Sequence, residues 1–372
     1  MALRLVPAHE RDMPEVSRFI DEYWPRKILL TDPVFHAWQM LNPPLAQGKD
    51  HSWLILDDED DTIQGYYGGN PREFVDERGD IHPGAELTTI FFTPRVRGGA
   101  MVWELVKTLQ RQYAVLVGMN TNSMALPIFR FSGFRHIRAV ERMTRVYQSA
   151  FLERVGGLTP MARNLLSLQK RAASKTSPSW RVPDREELQT LFTGYRIPGV
   201  AHFRRDFTNL AWRLLDHPYF RYECLLVAPD QPEQRTLLVF REERHENFAV
   251  GHVVDVLPLG RDLPDLAAVC DRLAADRQID MIDAMFTQPR VVGIFWQRNW
   301  LSTLNDPEVR VPNVFNPPEL RDPPTGNVTY WSHESVGSLT NLCGLHLSKI
   351  DGDWDRPTQA WLDAQNNRSG GG

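Results

Sequence analysis

One stretch of the chain, TTIFFTPRVRGGAMVWELVKTLQ from Thr88 to Gln110, restricts the possible folds more than any other. An apolar run typical of a β-strand reaches a proline, then arginines and a glycine pair, and an amphipathic helix begins at about Met101. Small residues at the start of a helix let backbone N–H groups approach an anion, and the helix dipole favours the negative charge. The stretch therefore predicts a mixed fold with a turn suited to a pyrophosphate, or else a tight turn that holds no ligand.

Two other phosphate-binding patterns do not occur at this turn. A P-loop requires G-x-x-x-x-G-K-[ST], and a dinucleotide site requires G-x-G-x-x-G at the start of a βαβ unit. Residues 94–101 contain neither pattern. The sequence therefore disfavours a nucleoside triphosphate or a dinucleotide as the ligand of the turn.

Alternating helices and strands account for about the first 150 residues. PAHERDMPEVSRFIDEYW has apolar residues at helical spacing, and HSWLILDDEDDTIQGYYGGNPREFV and GAELTTIFFTP contain short β-type runs that predict an antiparallel meander. The strand YAVLVGMN follows the helix of the glycine turn, and SMALPIFRFSGF predicts a short helix that ends at Gly133. HIRAVERMTRVYQ predicts a further strand, which completes this unit.

The same kinds of element recur in the second half of the chain. Beyond a helix and Ser/Pro connector, TNLAWRLLDHP and YECLLVAP repeat the order of PVFHAWQMLNP and SWLILDD: a helix with a Trp, an Asx near a proline, and then a strand. An imperfect internal duplication is one explanation, and chance similarity of two such segments is the other. The predicted domains are 1–150 and 181–360, with a helical linker at 151–180 and a tail at 361–372.

Composition disfavours several classes of protein. The 372 residues carry a formal net charge of −5, whereas binding to bulk nucleic acid requires a strongly positive face. Cys224, Cys270 and Cys343 are widely spaced and support neither a disulfide framework nor a CxxC metal site. No apolar run approaches the roughly 18 residues that span a bilayer, and the N-terminus lacks the apolar core of a signal peptide. A reducing cytoplasm is the simplest setting.

The glycine turn resembles the acyl-CoA-binding motif of the GCN5-related N-acetyltransferase superfamily, (Gln/Arg)-x-x-Gly-x-(Gly/Ala) after a strand. Here the motif is Arg95-x-x-Gly98-x-Ala100, and a register that begins at Arg97 also fits. The resemblance extends over about residues 1–148. It implies an α+β fold, a central and mostly antiparallel twisted sheet flanked by helices, with a second, degenerate copy in the other half of the chain.

A second segment strengthens the resemblance. VGMNTNSMALPIFRFSGF is similar to the strand, the Asn and the short helix that follow in that superfamily, with Asn122 at the matching position. Many members have a Tyr in the short helix as general acid toward the departing thiolate. Phe129 occupies that position here, so the acid must be another group or water.

The resemblance implies an acyl-CoA co-substrate and residues that would bind it. The implied residues are Ile90, Phe91, Phe92, Arg95, Val96, Arg97, Gly98, Gly99, Ala100, Met101, Asn122 and Phe129. Backbone N–H groups from Ile90 to Phe92 would polarise the thioester carbonyl. A carboxylate near the start of the CoA-facing strand commonly takes the amine proton, and Glu86 occupies this position, unless it is simply an exposed strand residue.

Two further segments resemble bacterial acyltransferases of this superfamily that modify amino sugars for cell-surface polysaccharides: EYWPRKILLTDPVFHAWQMLN and DGDWDRPT. Tryptophans can stack on a sugar face, and carboxylates can bind hydroxyls or an ammonium. The predicted acceptor-binding residues are Trp24, Trp38, Asp351, Asp353 and Asp355. A solvated acidic turn is the alternative, and no metal is expected, because DGDWD lacks the following glycine and the distal Glu of an EF-hand.

The sequence thus favours a cytoplasmic acyl-CoA-dependent N-acyltransferase that acts on a small-molecule amine, with a nucleotide-linked amino sugar as the predicted acceptor. Neither nucleic-acid binding nor membrane insertion is expected. In the second half LGRDLPDLAAV replaces the arginine-glycine turn, so that half would complete the acceptor site rather than bind CoA. The rival hypothesis is a non-catalytic, degenerate relative that binds a ligand or partner.

Overall fold

The computed structural model describes most of the chain. The described residues are 2–8, 13–24, 28–96, 99–155, 157–171, 177–306, 308–312, 314–315, 318–320, 325–336, 344–352 and 355–363. The strands are β1 Leu3–Pro7, β2 Trp53–Asp57, β3 Ile63–Val75, β4 Ile81–Phe92, β5 Val115–Met119, β6 Arg135–Ile137, β7 Glu141–Val146, β8 Trp180–Arg181, β9 Ala201–Phe203, β10 Glu223–Val227, β11 Thr236–Arg244, β12 Ala249–Pro258, β13 Met281–Phe286, β14 Leu301–Ser302, β15 Val314–Phe315, β16 Pro318–Glu319, β17 Val328–Ser332 and β18 Leu345–His346.

Helices lie between these strands. The α-helices are α1 Met13–Tyr23, α2 Pro33–His36, α3 Ala100–Gln112, α4 Leu126–Phe131, α5 Ser149–Arg154, α6 Pro160–Arg171, α7 Arg185–Phe192, α8 Phe207–Leu210, α9 Leu266–Arg277 and α10 Pro289–Trp296. Residues Leu29–Thr31 and Lys349–Asp351 form 3-10 turns, and Ala37–Leu41 and Ala211–Leu215 form π-helices. In the described part of the chain, no helix is both long and apolar enough to cross a membrane.

The first sheet has nine strands and contains the predicted meander. Its order is β1-β2-β3-β4-β5-β17-β6, with β9 beside β3 and β18 beside β9. All pairs are antiparallel except β4 with β5 and β9 with β18. The helix α3 connects β4 to β5 and packs Leu105 and Leu109 on Ala85 and Leu87 of β4. Because side chains alternate along a strand, Glu86 faces away from α3.

The second sheet repeats this arrangement. Its seven strands have the order β14-β7-β13-β12-β11-β10-β8, and only β12 and β13 pair in parallel. The helix α9 connects these two strands and buries most of its length against them, including Leu266, Cys270 and Leu273. Each sheet therefore contains a parallel pair of strands that one helix joins and that an antiparallel hairpin flanks.

The two sheets exchange strands across the predicted domain boundary. β7 lies within the predicted domain 1–150, but it pairs with β13 and β14 of the second sheet. β17 lies within the predicted domain 181–360, but it pairs with β5 and β6 of the first sheet. The prediction of one strand over HIRAVERMTRVYQ was wrong, since this stretch forms β6 and β7, which belong to different sheets. The alternation of side chains identified strands, but the partner of a strand depends on contacts far along the chain.

Two helical segments show that the halves are related. Asp32 and Asp206 each cap a four-residue α-helix that continues into a five-residue π-helix. The π-helices contain Trp38 and Trp212, whose rings stack with centroids 5.5 Å apart. Trp38 Nε1 donates to the Trp212 carbonyl at 3.0 Å, and Trp212 Nε1 donates to the Trp38 carbonyl at 2.9 Å. This reciprocal contact supports internal duplication over chance similarity.

Candidate active site

β4 and β5 lie side by side for only part of their length. Their parallel pairing ends at Leu87 and Gly118, whereas β4 continues along β3 to Phe92 and β5 continues along β17 to Met119. A β-bulge shifts the β3–β4 register at the same point. In the described part of the chain no strand pairs with this edge of β4 beyond Leu87. The gap between β4 beyond Leu87 and β5 beyond Gly118 is called the wedge below.

The turn after β4 carries part of the predicted CoA motif. The side chain of Arg95 is 58% exposed, with Nη1 3.5 Å from Asp57 Oδ2. Val96 is buried, and its backbone N–H donates to Thr93 O at 3.1 Å. Arg97 and Gly98 lie outside the described residues. The described part of the motif is therefore a tight turn, with one arginine on the surface.

The helix α3 begins directly after this turn. Gly99 is its N-cap residue and makes no side-chain capping bond, and Ala100 is exposed. Met101 is half-buried. The start of α3 is a position at which backbone N–H groups and the helix dipole favour an anion, because the N-cap residue Gly99 has no side chain to accept from these groups.

Residues Ile90 to Phe92 form the wall of the wedge on the β4 side. Phe91 packs against Phe19 and Trp24 with ring centroids 5.6 Å apart in both cases. Ile90 and Phe92 are half-buried on the opposite face, against the α3 cluster. The side chains thus fix the strand on both faces and leave its backbone edge toward the wedge.

Glu86 lies near the closed end of the wedge. Its side chain is 2% exposed, so the alternative of an exposed strand residue is wrong. Asn70 faces Glu86 across the β3–β4 pair, and Asn70 Nδ2 donates to Glu86 Oε2 at 3.0 Å. Donation to a carboxylate stabilises its ionised form. Glu86 is therefore a buried carboxylate held in place beside the separating strands.

Arg72 extends this polar group toward the second half of the chain. It lies two residues from Asn70 on the same face of β3, with Nη2 3.3 Å from Asp351 Oδ1. Its Cζ lies 4.2 Å from the centre of the Phe203 ring. Burial lowers the pKa of the Arg72 guanidinium to about 10, although Asp351 and Glu86 act in the opposite direction. Arg72 thus lies between Glu86 and the C-terminal segment, a name used here for the described residues 344–352 and 355–363.

The sequence did not point to Asn70, Arg72 or Gln39 as site residues. Gln39, on the first π-helix, is 2% exposed, and its Nε2 lies 3.4 Å from Thr88 Oγ1. The run GNPREF does place Asn70 and Arg72 on one face of a strand. Only the register of β3 with β4 shows that this face is also that of Glu86.

Asn122 and Phe129 have contacts within the chain. Asn122 Oδ1 accepts from the backbone N–H groups of Met124 at 3.0 Å and Ala125 at 2.8 Å, so it forms the turn before α4. Phe129 is 5% exposed and packs against Phe134 in the cluster beneath α3. Contact of either residue with a cofactor stays a prediction.

Three of the five predicted acceptor-binding side chains are buried in contacts within the chain. Trp38 is buried on Trp212, Asp351 is fully buried beside Arg205 and Arg72, and Asp355 is buried on Arg241. The prediction of a solvated acidic turn is therefore wrong for Asp351 and Asp355.

Two predicted acceptor residues remain. Trp24 is half-buried on Phe91. Asp353 lies outside the described residues.

The C-terminal segment crosses both sheets. Arg205 donates through Nε to Asp255 at 2.8 Å and through Nη1 to Asp351 at 2.6 Å. Burial alone would raise the pKa of Asp351, but Arg205 and Arg72 outweigh it and keep that pKa below its usual value. A Cβ on Gly352 would lie 2.5 Å from Met119 Sδ, so the segment passes closely over the end of β5. The wedge is thus bordered by both halves.

Comparison with known proteins gives similarity of fold and no significant similarity of sequence. No protein-family model matches the sequence, and no curated protein shows significant similarity. Saccharomyces cerevisiae N-myristoyltransferase with bound myristoyl-CoA is similar in structure, with 13% sequence identity and a TM-score of 0.50, over 89% of this chain and 78% of that one.

A probable N-acyltransferase from Enterococcus faecalis V583 is 12% identical, with a TM-score of 0.49, over 76% of this chain. The chain spans 64% of that protein's length. At such low identity the likeness concerns the fold. The likeness to the N-myristoyltransferase, together with the helix-joined parallel pair in each sheet, shows that the chain has a duplicated GCN5-related N-acetyltransferase fold.

Proposed function

We propose that the protein is an acyl-CoA-dependent N-acyltransferase, which transfers an acyl group from a CoA thioester to a primary amine. One observation carries this proposal: the wedge has an uncapped helix start near its open end and the buried carboxylate of Glu86 near its closed end. The fold similarity to a protein whose structure holds myristoyl-CoA supports acyl-CoA as the donor.

The two ends of the wedge suit the two ends of the donor. A pyrophosphate at the start of α3 would gain from the helix dipole and from backbone donors. The thioester would then lie along β4 beyond Leu87, where the edge of the strand has no pairing strand among the described residues. Backbone N–H groups between Ile90 and Phe92 would stabilise the oxyanion that forms on the carbonyl.

The reaction needs one proton acceptor near the amine. The neutral amine attacks the thioester carbon, a C–N bond forms, the C–S bond breaks and CoA leaves as the thiolate. Glu86 takes the proton that the nitrogen loses, and solvent supplies a proton to the thiolate. Phe129 has no hydroxyl and lies in the core, so it takes no part in proton transfer.

The acceptor belongs to the side of the sheet that faces away from α3. A nucleotide-linked amino sugar for cell-surface polysaccharide, modified in the cytoplasm, is the specific form of the proposal. Its support is the sequence resemblance and the half-buried Trp24, because Trp38, Asp351 and Asp355 are occupied within the chain. The second half completes this side of the site through Asp351, which contacts Arg72.

Calorimetry tests the donor site first. Acetyl-CoA, a long-chain acyl-CoA and free CoA are titrated into the folded protein, and micromolar binding of at least one is expected. Thiol release and product mass are then followed with a panel of amines that includes free and nucleotide-linked amino sugars. A folded protein that binds none of the three CoA species would contradict the enzyme and support the non-catalytic alternative.

A further inference from the structure

Several buried polar atoms near Glu86 have no hydrogen-bond partner in the part of the chain that the structure describes. Arg72 is 3% exposed, and its Nε and Nη1 have no hydrogen-bond partner among the described residues. These two atoms carry three of the five N–H groups of a guanidinium. Buried polar groups are normally satisfied, and a charged group more strictly than a neutral one. Arg72 is therefore arranged to donate to a group that the described residues do not supply.

The complementary atoms lie beside it. Asn70 Oδ1 and Gln39 Oε1 are buried acceptors, also without a hydrogen-bond partner among the described residues. Asn70 gives its Nδ2 to Glu86, and Gln39 Nε2 lies near Thr88, two residues along β4 from Glu86. An ammonium group, which has three donors, would find its acceptors in this group. Acceptors for a cation and donors for an anion thus lie side by side.

We propose that the acceptor is an amine with a carboxylate close to its nitrogen, such as a free α- or β-amino acid, and that Arg72 binds this carboxylate. The inference rests on the proposed acyl-CoA-dependent N-acyltransferase activity, and it gives an amino acid in place of the nucleotide-linked amino sugar as the acceptor. The amine would lie at Glu86, Asn70 and Gln39, with the carboxylate at Arg72. Arg72 would then be a specificity-determining residue.

The spacing of the strands suits such a molecule. Asn70 pairs with Glu86 and Arg72 pairs with Gly84, so Arg72 is a diagonal neighbour of Glu86. Diagonal residues on antiparallel strands have Cβ atoms roughly 7–8 Å apart or somewhat less. Two long side chains at that separation can bind groups that are two or three bonds apart, but they cannot also enclose a peptide between the two groups.

The charge of the site favours a carboxylate over a phosphate. Asp351 Oδ1 lies 3.3 Å from Arg72 Nη2, and Arg205 is shared between Asp351 and Asp255. A dianion bound to Arg72 would therefore lie beside a buried carboxylate. A monoanion meets less repulsion, and Arg72 can satisfy it with the donors that Asp351 leaves unused.

The test compares acceptors in the unmodified protein. Thiol release is measured with the common amino acids and β-alanine, and each amine that reacts is compared with its carboxamide and its decarboxylated analogue. The comparison of 2-aminoethylphosphonate with β-alanine tests the phosphate-like case. The acid form is expected to have a kcat/KM about 100-fold or more above that of the matched amine.

Variants assign the effect to one side chain. Arg72→Lys keeps a charge but loses the planar donor set, and it should reduce the acid-to-amine preference about tenfold or more. Arg204→Lys is the matched control, because Arg204 pairs with Glu73 away from this group, and it should keep the preference. Circular dichroism confirms that each variant is folded.

The outcomes separate the two proposals. If ordered water alone fills these positions, amines with and without a carboxylate react equally, which overturns the inference but not the function. A protein that binds acyl-CoA and acylates no carboxylated amine also overturns the inference alone, as does a preference for the aminophosphonate. Failure to bind any acyl-CoA overturns both.

Discussion

The two halves of the molecule use the same scaffold for different purposes. In each sheet the parallel pair that a helix joins has four residue pairs, and the third is Glu86 with Val117 in the first half and His252 with Asp283 in the second. Glu86 lies beside Asn70, whose buried Oδ1 has no hydrogen-bond partner among the described residues. At the equivalent position, His252 is part of a dense ionic network. The same backbone position is thus near a wedge in one half and inside a charged core in the other.

The network of the second half is supplied by distant segments. His252 Nδ1 lies 2.7 Å from Asp283 Oδ1. The Asp283 carboxylate also accepts hydrogen bonds from Lys349 Nζ at 2.5 Å and from Arg142 Nε at 2.8 Å. Lys349 belongs to the C-terminal segment and Arg142 to the exchanged strand β7. A position that holds a candidate base in one half therefore anchors chain segments in the other.

The starts of the two connecting helices, α3 and α9, also differ between the halves. Gly99 leaves the start of α3 without a side-chain cap, whereas Asp265 caps α9 and accepts from Ala268 N at 3.0 Å. Asp265 also forms an ion pair with Arg298. A carboxylate at a helix start occupies the place of an anion and repels another one. We therefore expect CoA to bind to the first half only.

The largest expected effect is on catalysis. Glu86→Gln should lower kcat/KM about 10²- to 10⁴-fold, because the amine loses its proton acceptor, and should remove the carboxylate from the pH profile. His252→Gln, at the equivalent position, should leave kcat/KM within a few-fold and lower stability instead. Thiol release from pH 5 to 9 measures both. An unchanged pH profile in Glu86→Gln would exclude Glu86 as the base.

The next effect is on stability. Asp283→Asn should lower the free energy of unfolding by about 3–5 kcal/mol, because it leaves Lys349 and Arg142 buried without their carboxylate. Asp276→Asn, at an exposed i,i+4 pair with Arg272, should cost less than about 1 kcal/mol. Urea unfolding at pH 7 compares them. Equal losses would show that the network contributes no more than a surface pair.

The same aspartate gives a pH dependence of stability. Burial opposes ionisation of Asp283, but Lys349 and Arg142 outweigh it and keep its pKa well below the usual value. Its contribution is therefore fully present above pH of about 4 and is lost as the pH falls below the unfolded-state pKa. Unfolding curves at pH 3 to 7 should show a steeper acid loss in the unmodified protein than in Asp283→Asn.

A smaller effect tests the helix starts. Ala100→Glu places a carboxylate at the beginning of α3, as in the second half, and should weaken CoA binding about tenfold through repulsion of the pyrophosphate. Ala100→Gln has nearly the same shape without the charge and should weaken it less. Calorimetry at two salt concentrations measures both. Equal affinities in the two variants would place the phosphates elsewhere.

The smallest effect concerns the contact between the halves. Trp38→Phe and Trp212→Phe each remove one of the reciprocal hydrogen bonds and should lower the free energy of unfolding by about 1–2 kcal/mol. The double variant should differ from the sum by about 0.5–1 kcal/mol, because the two rings also stack. Strict additivity would show that the two contacts are independent.

Local patterns in the sequence were sufficient for several elements. The strand, the turn and the helix that begins near Met101 were predicted, and α3 begins at Ala100. The repeat of a helix with a Trp was confirmed by α2 and α8 with their π-helices. These features depend on side-chain periodicity and turn residues within about 20 positions, which a single sequence shows directly.

Long-range partners were beyond such patterns. The sequence could not assign β7 to the second sheet or β17 to the first, because alternation identifies a strand and not its neighbour. The acidic residues of DGDWD have the composition of a solvated turn, and only Arg205 and Arg241, more than 100 positions earlier, make Asp351 and Asp355 internal.

By itself, then, the sequence determined many of the elements, a recurring order of helix and strand, and a carboxylate at position 86 on the strand before the turn. The tertiary structure alone decided that Glu86 is buried and that Asn70 and Arg72 share its face. It also decided that the equivalent position in the second half, His252, is enclosed by charges. The physical reason is that burial and ion pairing depend on strand register and on segments that meet only in the folded chain.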